Sequence, residues 1–481
     1  MLLPTLFTGG NITATWEAPI VAHQSCGGAH AWFSSLLDPR DTGHSLLLDF
    51  SLGGDGTPCP PPEGPPQNCS LAMLSTNGGR SWSLFDNWSK FSPNEVLPYG
   101  NGTFVTLPYG LTVDYRTNTT ARGFGQVARI DHATGDYRVL SSFQSTWSVA
   151  ADAKFGAWPY RLVHSGSVVV LKDGSALTTC YGHGAGTYRK WTTMSSVYFV
   201  RSNDWGRTWN ALARVPWVPA MGKSADGPGE PSTARLADGR ILCIFRSDAT
   251  QYYWSTYSSD EGATWSVAAP MATPAGVESD AWSVKPRLRV LSSGLVVLAG
   301  GRPGECVCGV VVVCLLSANI SSPLLSSPLT FYKGIFIWVS SDGGATFHRF
   351  NLAAVHNARI SDPALRFDTQ VVNVSSPFDG RALPEPATSS YTGLAEASDG
   401  ALVISYDRLS NGWNATRPGC VRVCVCTWVG RFPFCALILL TVLSLTLSSL
   451  PGGRAGMICR TTIHRRSWMT TRRVTSRSTS L

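Results

Sequence analysis

The sequence predicts an all-β fold assembled from one repeated unit. Three observations lead there. A turn of the pattern S-x-D-x-G-x-T-W recurs four times. Hydrophobic hairpins closed by D-G-like turns recur as well. The 481 residues include 47 glycines and 10% aromatics but only 15% charged residues. Short strands joined by tight turns have this composition, and recurrence along a chain marks repeat architectures.

The turns are STNGGRSW (Ser75–Trp82), SNDWGRTW (Ser202–Trp209), SSDEGATW (Ser258–Trp265) and SSDGGATF (Ser340–Phe347). Each position has a physical task. The Asp or Asn side chain accepts hydrogen bonds from turn amides that no strand can satisfy. The glycine permits a positive φ. The closing aromatic is large enough to pack between sheets. Ordinary turns of an unrelated β-sandwich are the alternative, and four copies that each follow a β-rich stretch such as VYFVR or IFIWV argue against it.

The hairpins read VVVLKDGSALTTCY, STARLADGRILCIFR, RLRVLSSGLVVLAGGR and LAEASDGALVISYDR, with SSLLDPRDTGHSLLLDF as a first, looser copy. A DG pair between apolar runs is a strong hairpin signal. Five hairpins and an unmarked region near residues 100–150 make six units. Spacing agrees: Ser202 to Ser258 is 56 residues, and Ser75 to Ser202 is 127, about two units.

The turns match the Asp boxes of the sialidase (neuraminidase) and BNR-repeat proteins, which the chain resembles from residue 30 to 413. The resemblance implies a six-bladed β-propeller, each blade four antiparallel strands around a central channel. Residues 1–29 then form an N-terminal segment, residues 30–413 the propeller, incomplete at its C-terminal end, and residues 414–481 an atypical tail.

Two stretches break the pattern. Ser258 to Ser340 spans 82 residues, and removing the Cys-rich, apolar Glu305–Lys333 restores a spacing of 53. That segment reads as an irregular insertion, either an unspliced intron taken as coding sequence or a genuine loop. Phe432–Leu450 is uncharged and mainly apolar, and seven arginines follow it. It reads as a mistranslated tail or as a membrane anchor at 432–450 with a positive-inside flank.

Charge and cysteine exclude other classes. The net charge is +8, but residues 415–481 hold ten Arg and no acidic residue, which leaves about −2 for the rest. A nucleic-acid-binding body is therefore disfavoured. No cysteine spacing reads as a zinc site, although Cys59 and Cys69 flank a loop that a local disulfide would suit. Sequons beginning at Asn11, Asn68, Asn87, Asn101, Asn118, Asn319, Asn373 and Asn414 favour a glycoprotein that is secreted or in the endomembrane lumen, free or held by the membrane anchor. MLLPTLF is too short for a signal-peptide core and argues the other way.

Candidate site residues come from register. Glu230 lies nine residues before Gly239, and Tyr391 nine before Gly400; Arg246 lies seven after Gly239, and Arg302 eight after Gly294. Equivalent positions in different units converge. The resemblance implies Tyr391 as catalytic nucleophile, Glu230 as the base that activates it, and Arg246 and Arg302 as substrate-binding arginines. A Tyr suits an anionic sugar, which would repel a carboxylate nucleophile. The bland alternatives are structural ion pairs for the arginines, a loop cap for Glu230 and a core role for Tyr391.

The family's first arginine belongs near Trp32–Ser34, where this chain has none. Arg161 is the nearest substitute but is out of register, thirteen before Gly174. Asp49 and Asp280 are the candidates for the acid/base, and His356 is a further polar residue of interest. The expected function is that of an exo-α-sialidase-like glycoside hydrolase releasing terminal sialic acid or a related acidic sugar from glycoconjugates. The alternative is a catalytically inactive propeller binding glycans or proteins. Neither requires a metal or organic cofactor. A meeting of Tyr391 with Glu230 would discriminate between the two.

Overall fold

The computed structural model describes residues 7–9, 12–17, 19–24, 31–39, 45–52, 70–85, 93–114, 119–131, 134, 136–148, 161–183, 195–222, 227–247, 250, 252–274, 276–277, 284–301, 329–331, 335–361, 372–374, 391–408 and 420–429. Met1–Phe432 is one compact unit; Pro433–Leu481 is a second, outside the described residues together with the candidate anchor. Among the described residues no helix is long and apolar enough to cross a membrane.

The fold is all-β. The described helices are a 3-10 turn at Pro219–Met221 and α1 (Leu352–Arg359), which Asn351 caps through a hydrogen bond from the Ala354 amide. Three strands open the chain, β1 (Phe7–Gly9), β2 (Ile12–Trp16) and β3 (Ile20–Gln24). A four-stranded sheet follows, with β4 (Ala31–Leu37), β5 (Leu46–Leu52), β6 (Ser70–Ser75) and β7 (Ser83–Leu84).

Next comes a ten-stranded sheet. Its first part holds β8 (Pro93–Gly100), β9 (Thr103–Pro108), β10 (Gly110–Val113), β11 (Thr120–Ile130) and β12 (Tyr137–Ser148). Its second part holds β13 (Arg161–His164), β14 (Val169–Val170), β15 (Ala176–His183), β16 (Ser195–Ser202) and β17 (Thr208–Val215). The spacing from Ser75 to Ser202 suggests two separate units. They are instead fused: Thr146–Ser148 of β12 pairs in parallel with Thr208–Asn210 of β17, and Trp147 stacks on Trp209 at 4.9 Å.

A four-stranded sheet of β18 (Pro228–Arg235), β19 (Ile241–Ser247), β20 (Trp254–Ser258) and β21 (Ala269–Pro270) comes next, followed by a small hairpin of β22 (Ala272–Thr273) and β23 (Gly276–Val277). Then β24 (Arg287–Val290), β25 (Val296–Gly300), β27 (Phe336–Ser340) and β28 (His348–Asn351) form another four-stranded sheet. Within the expected insertion, β26 (Leu329–Phe331) pairs with β29 (Val372–Val374) in a ladder of its own; residues 305–328 and 332–333 lie outside the described residues. The chain resumes the β24–β25 sheet at β27.

The last sheet holds β30 (Thr392–Glu396), β31 (Leu402–Arg408) and β32 (Cys420–Val429). Here both expected boundaries shift. β32 lies within the supposed tail yet pairs with β31 from Leu402↔Cys426 to Arg408↔Cys420, and on its other side with β2 and β3. The expected C-terminal incompleteness is therefore not found, because the N-terminal segment supplies strands to the last sheet.

Burial explains why the central strands are apolar runs and not alternating ones: both faces are covered. Val296 and Leu298 of β25 cluster with Leu242 and Ile244 of β19, while Val297 and Ala299 cluster with Leu402 and Ile404 of β31. On β31, Val403 joins Leu48 and Phe50 of β5, and Leu47 of β5 joins Val96 and Phe104. Ile241, Cys243 and Phe245 of β19 join Leu177 and Phe199. The order of neighbours therefore returns to its start. Each such Leu, Ile, Val or Phe contributes about 1.5–3 kcal/mol when fully buried.

The four turns share one bonding scheme. In the turn at Ser258, the Gly262 amide donates to Ser258 Oγ (2.8 Å), the Thr264 amide to Asp260 Oδ1 (2.8 Å), and Thr264 Oγ1 to Asp260 Oδ2 (2.5 Å). The turns at Ser202 and Ser340 repeat it, and in the first turn Asn77 keeps the acceptor role for the Ser81 amide at 2.9 Å. Gly262 has φ +87°, and a Cβ there would lie 2.9 Å from Leu177 Cδ2 on β15. The matching glycines abut Val403, Leu107 and Leu242, so the turns at Ser258 and Ser340 seat on the preceding sheet, the turn at Ser202 on the first part of its own sheet, and the first turn on the last sheet.

Candidate functional site

The hairpin register brings three polar residues to corresponding strand starts. Glu230 sits in a bulge of β18, where pairing with β19 shifts between Gly229 and Ser232, and its φ is +47°. Lys285 precedes β24 with φ +23°, and Tyr391 immediately precedes β30. Non-glycine residues at positive φ are uncommon and gather at functional sites. The side chain of Glu230 is 3% exposed.

These residues meet. Tyr391 Oη donates to Glu230 Oε1 at 2.5 Å. The other carboxylate oxygen accepts from the Lys285 backbone amide at 2.7 Å and lies 3.0 Å from Arg246 Nε. Lys285 Nζ stands 5.0 Å from the centre of the Tyr391 ring and 5.1 Å from that of Tyr109. Beyond it Arg287, also buried, donates from Nη2 to Ser35 Oγ at 3.0 Å and has Nη1 3.9 Å from Glu95 Oε2. Ser35 is on β4, beside a second bulge between Trp32 and Ser35.

Burial dominates the electrostatics. It pushes the Tyr391 phenol well above its ordinary range; the Glu230 charge adds to this and Arg246 opposes it. The phenol thus holds its proton and aims it at a carboxylate. Burial also lowers Lys285 to about 7, helped by Arg287 and opposed by Glu230, Asp49 and Glu95. Burial lowers Arg287 in the same way, while Glu95 and Glu230 raise it. Tyr181, whose ring packs against Gly229, is raised by burial and by Tyr109, Glu230 and Tyr391. A weak acid bound to a base, inside a partly compensated cluster of cations, is equipped for proton transfer beside an anionic ligand.

Of the residues expected from sequence, Glu230, Arg246 and Tyr391 come together. Arg302 and Asp280 lie outside the described residues. Arg161 starts β13, its backbone paired opposite Thr112, and its side chain lies outside them. Asp49 is buried on β5, close enough to act on the Lys285 charge. His356 is buried on α1 with Nδ1 2.8 Å from Tyr406 Oη, a contact with the sheet core. His164, buried between Pro108 O and Thr178 Oγ1, falls to about 3 through desolvation and stays neutral.

Sequence reasoning missed Lys285 and Arg287. The signal for Lys285 was present: it lies nine residues before Gly294, in the register of Glu230 and Tyr391. Among the described residues no group of three His, Cys, Asp or Glu is placed to hold a metal ion.

The BNR repeat-like domain family matches residues 119–291, a span that contains Glu230, Arg246, Lys285 and Arg287. The chain carries a BNR repeat-like domain. No curated protein matches the sequence. Among solved structures this chain is similar to a protein of unknown function from Dyadobacter fermentans DSM 18053 (13% identity, TM-score 0.47, covering 86% of this chain and 98% of that one). It is similar to the phage phi92 endosialidase (10%, 0.45, 89% and 71%). It is also similar to the intramolecular trans-sialidase from Ruminococcus gnavus (12%, 0.39, 84% and 96%).

Proposed function

We propose that this BNR-repeat protein is an exo-acting, sialidase-like glycoside hydrolase, folded as a six-bladed β-propeller whose rim turns are Asp boxes. The observation that carries the chemistry is the 2.5 Å hydrogen bond from Tyr391 to Glu230, with Arg246 on the far carboxylate oxygen. Tyr391 Oη attacks the anomeric carbon of the acidic sugar and its proton passes to Glu230 Oε1. The bond to the aglycone oxygen breaks, and that oxygen leaves with the electron pair. It takes a proton from a carboxylic acid, for which buried Asp49 is our candidate. Water then enters by the reverse path, restoring the phenol. A neutral nucleophile avoids repulsion from the sugar's own carboxylate, and Arg246 stabilises the phenolate character that develops in the transition state.

The proposed substrates are sialylated or other acidic glycoconjugates, met in the secretory lumen or outside the cell. Asn101 is an exposed sequon asparagine at the β8–β9 turn, where a glycan would project into solvent. A mass shift on treatment with peptide N-glycosidase tests that location. Hydrolysis of the 4-methylumbelliferyl α-glycoside of N-acetylneuraminic acid, with release of the free sugar followed by NMR, tests the activity. A folded protein that binds sialosides and never cleaves them would leave the glycan-binding reading in its place.

A further inference from the structure

Two large aromatic side chains lie stacked at the surface, away from the site. The rings of Tyr99 and Trp205 have centroids 4.1 Å apart and planes inclined by 25°, yet the two residues are 40% and 39% exposed. Irregular backbone holds both of them there. Trp205 belongs to the turn at Ser202 and has φ +57°, where the other three turns carry Gly78, Glu261 and Gly343. A bulky residue at positive φ is an outlier that calls for a reason. Glu261 has one, since Arg235 donates to it at 2.6 Å. Trp205 reaches Tyr99 instead. Tyr99 falls where the β8–β9 register shifts, between Pro98 and Gly100, and a bulge of this kind re-aims a side chain. The stack thus clasps the β8–β9 hairpin to the turn between β16 and β17.

Asn101 stands two residues past Tyr99 and opens the sequon Asn101-Gly102-Thr103. Gly100 pairs with Thr103, which leaves Asn101 and Gly102 as a two-residue loop. Their φ angles of +52° and +69° are those of a type I′ turn. The Gly102 carbonyl accepts from the Ile130 amide at 2.9 Å, so the tip is fixed to β11. Asn101 itself is exposed. A Cβ on Gly100, between the asparagine and the tyrosine, would meet nothing within 4 Å. The space above that glycine is open. Two residues span at most about 7 Å, so an asparagine bearing one sugar reaches the phenol ring. The C–H face of a pyranose is apolar and slightly positive, and the face of an aromatic ring is its complement.

We infer that Asn101 is an N-glycosylation site whose first sugar, an N-acetylglucosamine, packs on the face of Tyr99 turned away from Trp205. The stack then has three layers: sugar, phenol and indole. The attachment rests on the lumenal location proposed above; the aromatic seat does not. Asn101 Nδ2 forms a bond to C1 of an oligosaccharide carried on a lipid diphosphate. The bond from C1 to the phosphate oxygen breaks, the diphosphate leaves with the electron pair, and Nδ2 gives up one proton to solvent. The inner sugar covers aromatic surface that the fold leaves open, while the outer sugars extend into solvent.

The test uses the full chain, secreted behind a heterologous signal peptide from cells that leave their glycans rich in mannose. Glycopeptide mass spectrometry should find Asn101 occupied. Melting temperatures are then compared for the wild type, Asn101→Gln, Tyr99→Ala and the double variant. Loss of the Asn101 glycan should lower the melting temperature by about 1–3 °C when Tyr99 is present and leave it unchanged in the Tyr99→Ala background. An endoglycosidase that spares the first N-acetylglucosamine should not remove the stabilisation. Peptide N-glycosidase should remove it, each enzyme being applied to Asn101→Gln as well so that other sequons cancel. If Tyr99→Ala does not fold, the two enzymes decide.

An occupied Asn101 whose loss costs the same with and without Tyr99 overturns the inference. So does stabilisation that disappears with the outer sugars alone. Protein from its own cells separates this inference from the location: if every sequon is empty the lumenal location fails, and if Asn101 is empty beside filled sequons the inference fails.

Discussion

The Ser–Gly turns and the strand starts of the site are both four-fold features of the same chain, and they behave in opposite ways. At the turns the chain repeats chemistry: Ser75, Ser202, Ser258 and Ser340 each accept from a glycine amide at 2.8 Å. Nine residues before the hairpin glycines it diversifies: Ser165, Glu230, Lys285 and Tyr391 occupy one register with four different side chains. Every turn bond closes within four residues, so each copy satisfies itself. The site bonds cross between sheets, as from Tyr391 to Glu230, 161 residues apart. Repetition serves stability where the partners are local. Divergence serves chemistry where the sheets converge.

The largest expected effect breaks the site and spares the turns. Tyr391→Phe should lower kcat on an aryl sialoside by about a thousandfold or more, with the melting temperature and the sialoside affinity close to wild type. A variant retaining a tenth of the activity would remove Tyr391 from the nucleophile role. Glu230→Ala acts on both properties. It removes the carboxylate that pairs with part-buried Arg246 and should cost about 3–5 kcal/mol in chemical denaturation.

Breaking a turn should affect stability alone. Gly344→Ala forces a Cβ to within 2.7 Å of Leu242 at φ +82°, whereas Gly239→Ala, at φ +90°, meets nothing within 4 Å. Both incur the left-handed penalty of about 1 kcal/mol, and Gly344→Ala should lose about 1–3 kcal/mol more from overpacking. Equal losses in the two variants would show that the turn does not seat tightly on its neighbour.

The pH dependence sharpens the comparison, because Lys285 titrates at about 7 in the fold and near 10.5 when exposed. Between these values the unfolded chain holds the proton and the folded one does not. Stability of the free protein should therefore rise with pH across that window, and Lys285→Met should flatten the rise. The smallest effect should come from Asp260→Asn. Asn77 already performs this role in the first turn, so the cost should stay below about 1 kcal/mol by thermal melt.

These contrasts explain what was legible in the sequence. The turns could be read outright because Ser, Asp or Asn, Gly and Thr bond within one octapeptide. Glu230, Arg246 and Tyr391 could be read because register transmits position from one unit to the next. Lys285 shares that register and was overlooked, because the family pattern offers no lysine there. Arg287 could not be read: its partner Ser35 is 252 residues away, and no local spacing encodes that contact. β32 was hidden by composition. CVRVCVCTWV alternates as a strand should, but its cysteines and arginine made it look like part of the tail.

The pairing of β32 with β2 and β3 also sets a clock on biosynthesis. Thr13 faces Val429 and Gln24 faces Cys420 across that sheet, so strands made among the first residues wait for partners made some 400 residues later. At roughly 5–20 residues per second, translation alone separates them by about 20–80 s. Throughout that interval the early strands present unpaired backbone, an open template for any passing strand of another chain. A factor that shields this edge on the ribosome should raise the yield of folded protein more than one acting after release.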